Sequence, residues 1–236
     1  MPLLPKINAL WRVPLILLFT AVMASLSVLF SFVDGTGRAQ HRCARIWSRF
    51  ILLVGRVKVE VQGLEQLTPG RGYIFAANHL SMFDHWAFLA CLPFQFRFVA
   101  KESLFHIPFL GWHLKRSGNI PVTRRSPRQT LRAYQAVARK IHSGMSFVIY
   151  PEGMRTWGET APFKRGAFVL PQQAAAPIAP VTIKGAQYRL PRGSVVIRPG
   201  KIEIIIHGPI EYEEYKDLDL DTIADLVRGK IVGGCW

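Results

Sequence analysis

The sequence predicts an α/β fold in which a mixed sheet is flanked by helices, preceded by an N-terminal hydrophobic helical membrane anchor. Two observations predict it: an uncharged apolar run near the N-terminus, and short strand-like runs separated by helix-like segments. A chain of 236 residues is long enough for one globular domain with a sizeable core plus an appended segment. We place the anchor in residues 1–56 and the domain in residues 57–236.

The anchor prediction rests on residues 13–33, which contain no charged side chain. As a helix rising 1.5 Å per residue, this run reaches roughly 30 Å, the thickness of a bilayer core. The alternative is a secretory signal peptide. The run exceeds the usual apolar region of about 7 to 15 residues, and no clear small-x-small cleavage site follows it. The sequence therefore favours an uncleaved transmembrane helix.

Basic residues flank the apolar run unequally. Lys6 and Arg12 precede it, and four arginines follow it closely: Arg38, Arg42, Arg45 and Arg49. Basic residues accumulate on the cytoplasmic side of membrane helices. We therefore expect the domain to face the cytoplasm at the inner membrane of the cell.

The segment after the anchor predicts a basic amphipathic helix. At about 100° per residue, Phe50, Ile51 and Val54 fall within about 60° of Trp47, and the four arginines cluster near the opposite side. Such a helix could lie in the lipid interface, with its arginines near anionic headgroups. It could equally pack on the domain, and both alternatives stay open.

The rest of the chain alternates between strand-like and helix-like segments. Short apolar runs, often β-branched, predict strands at residues 57–61, 73–77, 146–150, 178–183 and 202–207. Helical patterns occupy residues 87–92, 127–142 and 218–232. This alternation predicts the α/β class, and a break near residues 35–38 separates the anchor from the domain.

The charge of the chain points to an anionic partner. Thirty Lys and Arg against fifteen Asp and Glu give +15, which suits nucleic acid, a membrane surface or a phosphorylated substrate. Nucleic acid is disfavoured because the aromatic residues do not interleave with basic ones as a base-stacking groove requires. The three cysteines lack metal-ligand spacing and are expected to be reduced thiols.

Residues 78–84, Asn-His-Leu-Ser-Met-Phe-Asp, follow a predicted strand and carry a candidate base and a candidate orienter. On one continuous helix His79 and Asp84 would lie about 140° apart, so a turn must come between them. Ser81 and Asp84 have capping-box spacing, which would place Ser81 at a helix N-cap and Asp84 in the first turn. His79 would then lie within hydrogen-bond reach of the Asp84 carboxylate.

The alternative, without a catalytic role, is that Asp84 only caps the helix and His79 is an incidental loop residue. The heptapeptide alone leaves both interpretations open. A metal site that includes His85 is disfavoured, because no third or fourth ligand is suitably spaced.

Further motif blocks follow in order at residues 101–111, 118–124, 150–156, 163–167 and 178–181. With residues 78–84, they resemble the motif blocks of the glycerolipid acyltransferase family, and most closely those of the 1-acylglycerol-3-phosphate acyltransferases. The resemblance covers about residues 57–185. It implies a glycerol-3-phosphate acyltransferase-like fold and makes residues 57–236 an acyltransferase domain.

The resemblance also implies an activity in phospholipid biosynthesis. A fatty acyl group would pass from acyl-CoA or acyl carrier protein to the free hydroxyl of 1-acylglycerol-3-phosphate, giving phosphatidic acid. The thioester is a co-substrate, and no cofactor or metal is implied. His79 would act as general base on the hydroxyl, and Asp84 would orient its imidazole. Membrane lipids, rather than nucleic acid, would be the partners.

The resemblance places substrate contacts on six residues: Arg124, Glu152, Gly153 and Arg155, with Lys101 and Lys164 as weaker candidates. A guanidinium matches phosphate oxygens bidentately, and glycine lets the backbone approach closely. An ionised Glu152 cannot bind phosphate, so we expect it to accept from a glycerol hydroxyl or to fix Arg155.

The sequence departs from the family pattern at Met154, where a Thr or Ser is common. A hydroxyl hydrogen bond is therefore missing, which leaves a lyso-ornithine lipid or another lysophospholipid as alternative acceptors. From a different class, a basic protein that binds membrane or nucleic acid without chemistry remains the remote alternative.

Overall fold

The computed structural model describes residues 3–108, 110–122, 127–156, 160–191 and 193–233. In this part of the chain one sheet contains the strands β1 Val57–Gln62, β2 Ile74–Ala77, β3 Phe96–Lys101, β4 Ile120–Val122, β5 Ser146–Ile149, β6 Ile178–Lys184 and β7 Gly200–Ile206. The α-helices are α1 Leu3–Phe30, α2 Arg38–Gly55, α3 Phe83–Cys91, α4 Leu110–Arg116, α5 Pro127–His142, α6 Val169–Ala174, α7 Ala186–Arg189, α8 Tyr212–Tyr215 and α9 Leu220–Gly233.

The sheet is mixed, as the sequence predicts. Its strand order is β1-β7-β6-β2-β5-β3-β4, and neighbouring strands are parallel except for β6 with β7. Strands β6, β2, β5, β3 and β4 therefore all end at the same edge of the sheet. In α/β proteins, ligands bind outside this carboxyl edge.

The central strand β2 is buried on both faces, because helices cover both sides of the sheet. Phe75 and Ala77 belong to a buried cluster shared with α2 and α3, whereas Ile74 and Ala76 belong to one shared with α5, α6 and α9. For that reason β2 is apolar throughout, as parallel strands covered on both faces usually are. The loops after β2 and β5 thus start from a rigid base.

The N-terminal helices α1 and α2 form an antiparallel hairpin. Phe19 stacks on Phe50 with ring centroids 4.0 Å apart, and the Trp47 indole donates a hydrogen bond to Thr20. At the other side of α2, Ile51 is fully buried in the same cluster as β2 and α3. The predicted basic amphipathic helix is therefore present, and this face of it packs on the domain.

One face of α1 is left uncovered. Its segment Trp11–Phe30 is long and apolar enough to cross a membrane. Exposed apolar side chains on α1 and in the turn after it include Leu17, Leu18, Val22, Leu29, Phe32 and Val33. The predicted apolar helix is therefore present, with its end at Phe30 rather than at residue 33.

Buried polar side chains connect the hairpin to the domain. Ser27 of α1 forms a 2.6 Å hydrogen bond with His113 of α4, and the buried Arg97 of β3 donates to the backbone of the turn after α1. Burial, with a smaller contribution from the charge of Arg97, lowers the pKa of His41 to about 3 and that of His113 to about 4. Both histidines are therefore neutral at pH 7.

All five strand runs and all three helical segments that the sequence predicts from residue 57 onward are present, and α5 has the predicted limits. Strands β3 and β4 were not predicted. The three residues of β4 include Pro121, which cannot donate to a ladder, and β3 carries a buried arginine. Their pairing with β5 and with each other decides their conformation.

Acidification should destabilise this fold through His41 and His113. In the unfolded chain both bind protons near pH 6.5, but when folded they do so only near pH 3 to 4. Their contribution to stability is therefore present above pH 6.5 and is lost as the pH falls towards 4. Each histidine should lower the free energy of unfolding by about 1.4 kcal/mol for every pH unit of acidification in that window. Denaturant unfolding of the detergent-solubilised protein at pH 5 and pH 7 measures the effect.

The His41→Leu variant should show a shallower pH dependence, because an apolar side chain of similar size takes up no proton. His106→Leu, at an exposed position, is the matched control and should keep the wild-type dependence. An unchanged dependence in His41→Leu would contradict the assignment.

Candidate active site

The segments that carry the main motif residues leave the same edge of the sheet. β2 ends at Ala77 and its parallel neighbour β5 ends at Ile149. Neighbouring strands lie about 4.8 Å apart, so the segments that follow them meet. Residues 78–84 and 150–156 therefore belong to one site.

His79 and Asp84 form a hydrogen-bonded pair in which Nδ1 of the histidine lies 2.7 Å from Oδ2 of the aspartate. The turn that the spacing requires is present: His79 follows β2, and Asp84 lies in the first turn of α3. Because the carboxylate accepts, Nδ1 is the donor, and a neutral imidazole in this tautomer has its lone pair on Nε2. Nε2 has no hydrogen-bond partner among the described residues.

The carboxyl group of Asp84 is fully buried. Burial raises its pKa, and N–H donors oppose that rise. In addition to His79, the backbone N–H groups of Leu80 and Ser81 donate to Oδ2 at 2.7 and 2.8 Å. These donors fix the orientation of the carboxylate.

The predicted capping box is present only in part. The Asp84 carboxylate accepts from the N–H of Ser81, but the Ser81 hydroxyl accepts from Phe83, at 3.4 Å, instead of from Asp84. Helix α3 also begins at Phe83, one residue later than a Ser81 cap implies. One oxygen of Asp84 thus holds both the helix start and the histidine.

Asn78 attaches the turn to the sheet. Its buried side-chain amide donates to the carbonyl of Ile183 at 3.0 Å and accepts from the same residue's N–H at 2.7 Å. Ile183 lies in β6, the second neighbour of β2. The residue before His79 is therefore fixed from the β6 side.

Glu152 fixes His79 from the β5 side. Its buried carboxylate accepts from the N–H of His79 at 2.7 Å, from the hydroxyl of Thr156 at 2.5 Å and from the N–H of Ala161 at 3.2 Å. The N–H of Thr156 also donates to the carbonyl of His79 at 2.9 Å. The sequence suggested that Glu152 contacts a substrate hydroxyl or fixes Arg155, whereas in the structure it holds the backbone of His79.

Aromatic rings surround the His79 imidazole. Tyr150 stacks on it with centroids 4.2 Å apart and planes at 24°, and His85 lies nearly perpendicular to it at 5.0 Å. Phe98 contacts both of these neighbours. Burial, together with smaller electrostatic contributions from His79 and Arg155, lowers the pKa of His85 to about 3. His85 is therefore neutral at pH 7.

Gly153, Arg155 and Lys164 lie on the solvent side of the site. Gly153 has a φ of 70°, in the left-handed region that favours glycine. A Cβ at this position would lie 2.6 Å from the Lys164 ammonium, so the lysine side chain crosses the loop closely at Gly153. The Arg155 and Lys164 side chains are exposed, which leaves both available to an anion.

A cavity of about 380 Å³ opens beside the turn that carries His79. One wall contains Leu80, Ser81, Met154 and Arg155, and the other contains Leu190, Pro191, Gly193 and Ser194, from the segment after α7. The cavity therefore combines a guanidinium and two serine hydroxyls with apolar walls. Met154, with 64% of its side chain exposed, lies at this surface.

Two of the predicted substrate-binding residues remain, Lys101 and Arg124. Lys101 ends β3, two strands from β2 and thus about 10 Å away across the sheet. Arg124 lies outside the described residues. The strand that precedes it, β4, ends at Val122, which pairs with Lys101.

Sequence reasoning missed the structural roles of Asn78, Tyr150 and Thr156. All three fall inside motif blocks, but Asn78 contacts β6, and Tyr150 and Thr156 contact His79, and these partners are distant in the sequence. It also missed the second wall of the cavity, formed by Leu190, Pro191, Gly193 and Ser194, for which no motif gives a signal.

The arrangement suits proton abstraction next to a bound anion. An oriented carboxylate lies behind Nδ1 of His79, and the lone pair of Nε2 is available to a hydroxyl. The guanidinium of Arg155 lies at the neighbouring cavity.

Comparisons with known proteins identify the family of the chain. A family model described as Acyltransferase matches residues 58–184. A chloroplastic 1-acyl-sn-glycerol-3-phosphate acyltransferase of Brassica napus is 31% identical over 81% of this chain and 54% of its own length. One from Chlamydomonas reinhardtii is 30% identical over 97% of this chain and 71% of its own length. The chain spans about half the length of the chloroplastic relatives from Brassica napus and Arabidopsis thaliana.

The fold is also that of a solved structure. The crystal structure of the 1-acyl-sn-glycerophosphate acyltransferase from Thermotoga maritima matches with a TM-score of 0.79 and 22% identity, over 98% of this chain and 95% of that one. The matched family model covers more than half of the residues, including His79, Asp84 and the segment after β5. The chain therefore belongs to the acyltransferase family.

Proposed function

We propose that the chain transfers a fatty acyl group from acyl-CoA or acyl carrier protein to the free hydroxyl of 1-acylglycerol-3-phosphate, giving phosphatidic acid. The observation that carries the proposal is the His79–Asp84 pair beside a cavity lined by Arg155. The names of the relatives from Brassica napus and Chlamydomonas reinhardtii specify the same acceptor.

An alcohol is a weak nucleophile until its proton is removed. Nε2 of His79 takes that proton while the hydroxyl oxygen attacks the thioester carbonyl, and the Asp84 carboxylate stabilises the imidazolium that forms. Collapse of the tetrahedral intermediate breaks the C–S bond, and the thiolate leaves with the proton from the imidazolium. The new C–O bond completes the ester, and no covalent acyl-enzyme is needed.

The acceptor phosphate binds Arg155 in this proposal. The guanidinium offers a planar pair of donors, and the Lys164 ammonium lies against the same loop at Gly153. Lys101, at the end of β3, adds positive charge along the same edge of the sheet, and Arg124 remains a candidate from the sequence alone. Glu152 acts indirectly, because protein donors already occupy both of its oxygens.

The α1–α2 hairpin holds the site at the membrane in this proposal. From Arg12, which donates to Ile197, to Ser27, which bonds His113, α1 follows the domain for about 22 Å. A helix that is attached to the domain over this length can insert its exposed apolar face into the membrane from one side. The acceptor would then arrive from the lipid and the donor from the cytoplasm.

Met154 indicates a second class of acceptor that should be tested. An exposed thioether stands where the family often has a hydroxyl, so a lyso-ornithine lipid or another lysophospholipid could fit the same cavity. A panel of lysolipids with one acyl donor distinguishes these acceptors.

The His79→Ala variant should lose acyl transfer by about 10²- to 10⁴-fold, because no base remains for the hydroxyl. Transfer of labelled acyl groups to 1-acylglycerol-3-phosphate measures the loss, and sedimentation with membranes should be unchanged. His106→Ala, at an exposed position, is the control. Undiminished turnover in His79→Ala would remove the proposed base.

The Arg155→Ala variant should raise the KM for 1-acylglycerol-3-phosphate about 10- to 100-fold, the worth of a charge-assisted hydrogen bond. A phosphate-free monoacylglycerol acceptor should be affected much less. Arg71→Ala provides the matched control, since Arg71 pairs with Glu211 near the opposite edge of the sheet. Equal losses with both acceptors would argue against a phosphate contact.

The Glu152→Ala variant should lower kcat by about 10- to 100-fold with little change in the acceptor KM. Removing the carboxylate leaves the His79 N–H without its partner and lets the base shift. Steady-state kinetics with the acceptor varied separate the two parameters. A rise in KM alone would favour the substrate contact that the sequence suggested.

A further inference from the structure

We propose that Tyr150 is a positioning residue for the base: its ring stabilises the protonated imidazole of His79 during turnover and keeps the plane of that imidazole fixed. This inference rests on the proposed function, because it concerns the proton that His79 takes from the acceptor.

The two rings are arranged so that they form a cation–π contact when the imidazole is protonated. The ring centroids of Tyr150 and His79 lie 4.2 Å apart and the planes are inclined by 24°, so the phenol presents its face to the imidazole. When His79 becomes an imidazolium, that negative face attracts the new positive charge. The Asp84 carboxylate stabilises the same charge in the plane of the ring, through Nδ1.

The packing of Tyr150 suits this role. The Phe98 ring lies nearly parallel to the phenol, with centroids 6.4 Å apart and planes at 13°, so the Tyr150 ring packs against a second aromatic side chain. Tyr150 also directly follows β5 and precedes the Pro151-Glu152 segment that holds the backbone of His79. Ring and backbone of the base are therefore fixed by the same short segment.

The ring of Tyr150, rather than its hydroxyl, carries the effect. The hydroxyl oxygen is buried and has no hydrogen-bond partner among the described residues. Burial and the nearby Asp84 raise the pKa of Tyr150 well above its ordinary value, so the phenol stays neutral. Phenylalanine at this position should therefore preserve the effect on His79, whereas an aliphatic side chain should not.

The other groups that face His79 are the same in every Tyr150 variant. Among the described residues, Asp84 and His85 of α3 and Glu152 contact His79, and Arg155 acts electrostatically on the adjacent His85. A difference between variants in the pH dependence of turnover therefore reports the ring.

The test compares Tyr150→Phe with Tyr150→Leu, using pH profiles of kcat/KM with acyl-CoA and 1-acylglycerol-3-phosphate. Tyr150→Phe should match the wild type. In Tyr150→Leu the acid limb should move to lower pH by about one unit, because the protonated base loses its stabilisation. Its kcat should also fall about tenfold with an unchanged acceptor KM. The acceptor phosphate titrates identically in all reactions and cancels.

Two results would overturn the inference: an acid limb in Tyr150→Leu that stays at the wild-type pH, or a Tyr150→Phe variant as impaired as Tyr150→Leu. Tyr150→Met, which fills the volume without an aromatic face, repeats the comparison if the leucine variant fails to fold. His79→Ala is run in parallel. An active His79→Ala would refute the proposed function, whereas an inactive one beside a wild-type-like Tyr150→Leu would refute only the stacking role.

Discussion

The site depends on one interaction, the buried Glu152 carboxylate that accepts the backbone N–H of His79. It joins the segments that leave two parallel neighbours, β2 and β5, and the reverse bond from Thr156 to the His79 carbonyl closes the link. A buried carboxylate is tolerated only when it is well hydrogen-bonded, and three donors meet that demand here. The backbone of His79 is therefore held by a carboxylate that need not contact the substrate.

Two buried carboxylates flank the histidine, and their tasks differ. Asp84 contacts the imidazole and stabilises positive charge on it, whereas Glu152 contacts only the backbone of His79. The second histidine of the site, His85, is kept neutral by burial. In the proposed function, the proton from the acceptor hydroxyl is therefore taken by His79, which lies between the carboxylate of Asp84 and the ring of Tyr150.

The N-terminal hairpin shares its packing with the domain. Ile51 of α2 lies in the same buried cluster as β2 and α3, and Ser27 of α1 bonds His113 of α4. The hairpin that exposes an apolar face thus packs directly on the elements that position His79. In the proposed function this continuity keeps the cavity at a fixed distance from the lipid that supplies its acceptor.

The sequence by itself determined the α/β class and the apolar N-terminal helix, because periodicity and charge act over a few residues. Local spacing made the pairing of His79 with Asp84 one of two alternatives, and the resemblance to the acyltransferases favoured it. The sequence could not determine which groups hold that pair in place. The bond from Asn78 to β6, the bonds of Glu152 and Thr156 to His79, and the Tyr150 stack all join residues far apart in the chain. Only the strand order brings β6, β2 and β5 side by side, so only the tertiary structure decided that Glu152 faces the backbone of His79.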